Sequence, residues 1–308
     1  MEQERPNTVF NKVGIAMCIL VGFLLYIQVL IMIPVQLLKP EWIENINFLM
    51  ALNGISYYVC AFPVFVFFMS TIKSKKEVEK RKLGVGKFLA YFFICFAAIN
   101  LSNYVTVLFH TIIHATTGIE LGSVLDDVLN KPDVMIVVTT VILAPIFEEL
   151  TFRYLALNKL RRFGDKTAII FTAVLFGLFH MNFEQGIYAT AIGLVLGYVA
   201  CKTGRIRYTI LLHAMINFTS GILPLLVDEL NSPIGTLVYT IGYFAFILIG
   251  IILFILMLSK VKLDAGTEPL PNPVKTAILN PGMLVFLVVC VGSMFLTLIM
   301  EFVGGIMK

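Results

Sequence analysis

The sequence predicts an all-α polytopic transmembrane bundle of eight to nine spans, and three observations carry that reading. Of the 308 residues, 59% are hydrophobic. Only 14% are charged, too few to cover the surface of a water-soluble domain of this size. Apolar runs near the ~20 residues needed to cross a bilayer recur along the whole chain. Helices are required because no water in the hydrocarbon satisfies an exposed backbone group.

The runs fall at about 13–38, 46–72, 88–113, 134–157, 167–183, 187–201, 207–227, 234–259 and 279–303. The first follows a short polar stretch, Met1 to Lys12, but it is longer than a signal-peptide core and lacks a small-residue cleavage site. It reads as an anchor. The fifth and sixth runs are short and are separated by only the polar turn Asn182 to Gly186.

Loop charge supports the order. Lys73, Lys75, Lys76, Lys80, Arg81, Lys82 and Lys87 crowd loop 73–87, whereas Glu120, Asp126, Asp127 and Asp133 dominate loop 114–133. Loop 158–166 is basic again, the 182–186 turn holds Glu184, loop 202–207 is basic, and loop 228–233 carries Asp228 and Glu229. This alternation predicts a cytoplasmic N-terminus and cytoplasmic basic loops. The 260–278 loop is Pro-rich and nearly balanced, so charge does not orient the last span. In segment 119–130, Leu121, Val124, Leu125, Val128 and Leu129 follow helical spacing opposite Asp126, Asp127 and Asn130, which predicts an amphipathic helix on the outer interface. Three regions follow: 1–133 with the first helices and the interfacial helix, 134–227 as a polar core, and 228–308 with the last helices.

The net charge of +4 sits in short inter-helix loops and excludes a nucleic-acid partner; the bilayer is the partner composition demands. Cys18, Cys60, Cys95, Cys201 and Cys290 form no C-x-x-C pair, so they read as packing residues.

Ionisable groups inside spans are costly and face the bundle interior. Here they gather in three runs: Glu148-Glu149 with Arg153, Phe176 with His180, and His213 with Asn217. Glu149 and Arg153 are four apart and share a helix face, which suits an ion pair. Glu148 lies about 100° further round, so the two carboxylates need not share an environment. His213 and Asn217 also project together. A carboxylate, a histidine from another helix and a donor pair are the parts that activate a water and stabilise an oxyanion. A desolvated Glu is expected to titrate above its usual range, which suits a base that later returns the proton. The depths do not match at once. At ~1.5 Å per residue, Glu148 and His213 lie about 10–15 Å and about 10 Å from the basic end, but His180 lies about 20 Å in.

The stretch from about Ile142 to Phe218 resembles the CPBP family of CAAX-processing and bacteriocin-immunity intramembrane proteases, also called the Abi family. The pattern E-E-x-x-x-R, F-x-x-x-H, a Gly-rich helix and H-x-x-x-N is met in order, with Gly193 and Gly197 in the third part and the Thr203-Gly204 turn and Leu211-Leu212 before His213. The resemblance implies a membrane-associated peptide or protein substrate, prenylated or a peptide precursor. It implies that Glu148 and His180 activate the water, that His213 and Asn217 form the oxyanion hole, and that Glu149 and Arg153 hold the site or contact substrate. The glutamate mechanism without cofactor is preferred. The alternative is zinc on Glu148, His180 and His213, although no H-E-x-x-H is present. Two other functions stay open: a proton-coupled transporter, against which stands the lack of an internal repeat, and a catalytically silent immunity or scaffold protein. His110 and His114 form a second i,i+4 pair, read as interfacial anchors. The Ala189, Gly193, Gly197, Cys201 row predicts close helix packing.

Overall fold

A computed structural model describes residues 4–73, 78–119 and 133–306. The described residues contain no strand, and eight helices are long and apolar enough to cross a membrane. We label the helices α1 Pro6–Leu38, α2 Ile46–Ser70, α3 Val85–Thr117, α4 Val134–Phe163, α5 Asp165–Phe179, α6 Phe183–Thr203, α7 Ile206–Glu229, α8 Pro233–Leu258 and α9 Pro281–Ile306. All nine apolar runs are therefore helical. The exception in length is α5, whose 15 residues reach only about 22 Å, short of the ~30 Å hydrocarbon core. Apart from Ile119, the expected interfacial helix at 119–130 lies outside the described residues.

One boundary resolves the depth mismatch. The fourth helix does not stop near residue 157 but runs on to Phe163 and turns back at Gly164, whose φ is 104°. Glu148 and His180 then lie equally far along the chain from that turn. Phe152 and Phe176, also equidistant from Gly164, face each other with ring centroids 5.0 Å apart.

Small residues bring α5 and α6 together. A Cβ on Gly193 would lie 3.1 Å from the Cα of Ala173, and one on Gly197 would lie 3.2 Å from Ile169. The predicted small-residue row thus lies against α5. The last helix, α9, packs on α1, where the backbone N–H of Gly282 donates to Asn11 Oδ1 at 2.7 Å.

The basic loops gather at one end. The Arg81 N–H donates to the Thr203 carbonyl at 2.8 Å, and the Leu83 N–H donates to the Tyr208 hydroxyl at 3.1 Å. Lys159 Nζ donates to the Ile72 carbonyl, and Arg162 donates to the Glu4 carbonyl. The 260–272 loop closes the same end, with Asp165 N–H on the Asp264 carbonyl and Glu268 N–H on the Arg162 carbonyl.

Among the described residues four helical stretches are widened to π geometry: Ile55–Ala61, Val138–Leu143, Leu150–Leu157 and Phe218–Ile222. Three of them end two residues before a proline: Pro63, Pro145 and Pro224. Proline has no N–H and its ring crowds the carbonyl one turn back, so a widened turn relieves the clash. Pro34 is the counterexample, inside an unbroken α-helix.

Candidate active site

The polar residues of α4 sit in a six-residue α segment, Ala144–Glu149, between two widened stretches. Glu149 is fully buried and Arg153 is 2% exposed. Arg153 Nη1 donates to Glu149 Oε1 at 2.9 Å. The guanidinium lies flat against α5 and α6: its carbon is 4.5 Å from the Phe176 ring centre, and Nη2 reaches the Gly193 carbonyl at 3.4 Å. Gly193 is what admits it, since a Cβ there would lie 3.3 Å from Nη2. Buried charges persist only when paired and hydrogen-bonded, and here each supplies the other's partner.

His213 joins α7 to this pair. Its Nδ1 lies 3.0 Å from Glu149 Oε1. A carboxylate accepts, so Nδ1 carries the hydrogen and donates. The opposite nitrogen, Nε2, lies 3.7 Å from Glu148 Oε2. The two neighbouring glutamates therefore face opposite edges of one imidazole. Their surroundings differ, as the helical angle between them predicts: the Glu149 side chain is sealed, while that of Glu148 is 13% exposed.

His180 ends α5. Met181 follows with φ 51°, and Asn182 caps α6 by accepting from the Gln185 N–H at 3.0 Å. His180 Nδ1 lies 2.8 Å from the Phe176 carbonyl. A carbonyl only accepts, so Nδ1–H donates, and in the neutral ring Nε2 is the acceptor. The Phe176 ring stands edge-on to both histidines, 5.0 Å from His180 and 5.7 Å from His213. The sequence marks this phenylalanine only as part of a spacing; the fold makes it the shared wall of both imidazoles and of Arg153.

Asn217 reaches a different partner from the one its spacing suggests. Its Nδ2 donates to the Thr140 carbonyl at 2.8 Å. In the widened stretch the Ala144 N–H bonds the Thr139 carbonyl. In that register the Thr140 carbonyl meets Pro145, which has no N–H. Asn217 supplies the missing donor, and with it α7 is tied to α4 one turn beyond His213. Asn217 carries two N–H groups, and this bond uses one.

An aromatic wall from α2 closes the site. Tyr58 stacks near Phe147 at 4.5 Å, Phe62 meets Phe147 edge-on at 4.9 Å, and the Tyr57 hydroxyl is 3.2 Å from Thr151 Oγ1. These residues escape a search for ionisable groups. Their signal is the Tyr57-Tyr58 pair in a stretch that Pro63 forces to widen.

Among the described residues no group of three His, Cys, Asp or Glu side chains stands together as a metal site. The five cysteines are free. Of the second histidine pair, His110 lies 3.3 Å from Glu184 at the opposite end of the bundle.

Fold and site together define a polytopic membrane protein with a sealed Glu–Arg–His cluster across α4, α5, α6 and α7. Residues 130–219 match the family model of type II CAAX prenyl endopeptidase Rce1-like proteins, a likeness in line with the CPBP pattern of that segment. The chain is also similar to the protein named "Putative membrane peptidase YdiL" of Bacillus subtilis (strain 168), at 30% identity over 95 residues, which is 30% of this chain. The aligned part spans 37% of that relative's length. No solved structure matches the chain.

Proposed function

We propose that the protein is an intramembrane endopeptidase that hydrolyses a peptide bond in a membrane-associated peptide or protein, of the prenylated CAAX type or a peptide precursor. One observation carries the reading: Glu148, the least sealed member of the cluster, faces an imidazole whose far side is fixed by the Glu149–Arg153 pair. A base must meet water, while the groups that hold its partner must not move.

In this reading Glu148 takes a proton from water, and the oxygen attacks the scissile carbonyl carbon. His180, with Nε2 as its acceptor, orients the same water. The developing oxyanion accepts from His213 Nε2–H, when both ring nitrogens carry hydrogen, and from the second Asn217 N–H. The C–N bond then breaks and Glu148 returns its proton to the leaving amine. Glu149 and Arg153 act through His213. The contacts of Glu4 with Lys73 and Arg162 lie at the end where the basic loops meet. This supports a cytoplasmic N-terminus and a site reached from the cytoplasmic side.

The test is mass spectrometry of membrane peptides from cells carrying the wild-type protein and Glu148→Gln, side by side. Fragments present only with the wild type are expected. Identical peptide sets from both would remove the protease reading.

A further inference from the structure

The three basic loops do more than mark one side of the bundle. Between α4 and the α6–α7 turn they enclose an open cleft of about 550 Å³, walled by Lys80, Arg153, Tyr154, Asn158, Lys159 and Arg205. Among the described residues the lining holds four cationic side chains, of which Arg153 is paired with Glu149 and Lys159 donates to the Ile72 carbonyl, and no carboxylate. The Nε of Arg205 is buried and has no hydrogen-bond partner among the described residues. Arg153 belongs to both places: it lines the cleft and its Nη1 holds Glu149. The cleft and the proposed catalytic cluster therefore share a wall. A concave site lined by one sign of charge, with apolar walls such as Leu155 and Ile206, concentrates the opposite charge.

We infer that this cleft binds a carboxylate of the peptide substrate, close along the chain to the bond that is cut. The inference rests on the protease reading. A carboxylate fits because its oxygens accept charge-assisted hydrogen bonds from guanidinium and ammonium groups. It belongs to the peptide, because Arg153 is the wall between the cleft and Glu149, so an occupant held by Lys80 and Arg205 stands one side chain away from the cluster. The source is a C-terminal carboxylate or an acidic side chain beside the scissile bond.

The experiment uses the full-length protein in phosphatidylcholine nanodiscs, with binding measured on Glu148→Gln so that turnover does not deplete the probe. The probes are three pools of randomised apolar octapeptides: free acids, amides, and amides with one fixed Asp. Retained peptides are counted by mass spectrometry. Acids, or Asp-bearing amides, should be retained about tenfold better than plain amides, and the preference should fall to within about twofold on Lys80→Gln with Arg205→Gln. Which carboxylate pool wins tells the terminal source from the side-chain source. The charge-keeping pair Lys80→Arg with Arg205→Lys should preserve the preference, which separates lost charge from lost folding. Equal retention of all pools, or no retention of any, overturns the inference. So does a preference that disappears when phosphatidylglycerol replaces phosphatidylcholine, because a lipid headgroup then fills the cleft. Cleavage by the wild type is read separately. Equal cutting of acids and amides sinks the carboxylate site and leaves the protease. Carboxylate-dependent binding with no cutting keeps the site and sinks the protease.

Discussion

His213 donates its Nδ1–H to Glu149, an oxygen that Arg153 already holds at 2.9 Å, and so turns its Nε2 toward Glu148. Two adjacent carboxylates on one helix thereby stand in different surroundings. One is sealed and paired. The other has one long contact and some access to solvent.

That division is measurable in the two amides. Glu149→Gln leaves the Arg153 guanidinium buried without its counter-charge and should destabilise the folded protein by about 3–5 kcal/mol. Glu148→Gln keeps the shape and removes only a long contact, so its cost should be about 1 kcal/mol. Thermal unfolding in detergent should show a large drop for the first and a small one for the second. Equal drops would mean that the two carboxylates share one role.

His213→Ala should lower turnover by roughly 10²–10³-fold. The fold should survive, since Glu149 keeps Arg153, although the lost donor should cost about 1–3 kcal/mol. Turnover on any substrate found by the peptide comparison provides the check. Unchanged turnover would make the seventh helix a packing element.

The Asn217 bond predicts a coupling with Pro145. Asn217→Ala leaves the Thr140 carbonyl without a donor and should cost about 1–3 kcal/mol. Pro145→Ala restores a backbone N–H to that carbonyl. The double variant should therefore be more stable than Asn217→Ala alone, by more than Pro145→Ala changes the wild type. Strictly additive melting shifts would contradict the shared carbonyl.

Sidedness follows from the basic loops. Single cysteines in place of Lys80 and of Asn231, at the far end of α7, should label from opposite faces of the membrane with an impermeant reagent, Lys80 from the cytoplasm. Labelling of both from one face would require a different number of crossings between α3 and α8.

Activity should withstand exhaustive chelation and dialysis. The Nδ1 atoms of His213 and His180 are held by Glu149 and by the Phe176 carbonyl, which leaves each Nε2 to serve either a water or an ion, and chelation tells the two apart. Loss of activity on chelation, with recovery on zinc alone, would reverse this preference.

The sequence by itself determined the solvent, the helices and the polar inventory. A chain with so little charge must face lipid, lipid requires helices, and the few ionisable residues left inside them are easily named. Local spacing also determined the Glu149–Arg153 pair, because four residues are about one helical turn. Spacing could not fix what depends on depth and on neighbours. The level of His180 was hidden because an apolar pattern does not show where a helix ends; the turn at Gly164 lies sixteen residues from both His180 and Glu148. The partner of Asn217 was hidden because it answers an N–H that Pro145 lacks on another helix. The role of Phe176, the α2 aromatic wall and the cleft between three basic loops arise from packing alone. Contacts between helices far apart in sequence carry no periodic signature, and only the folded chain decides them.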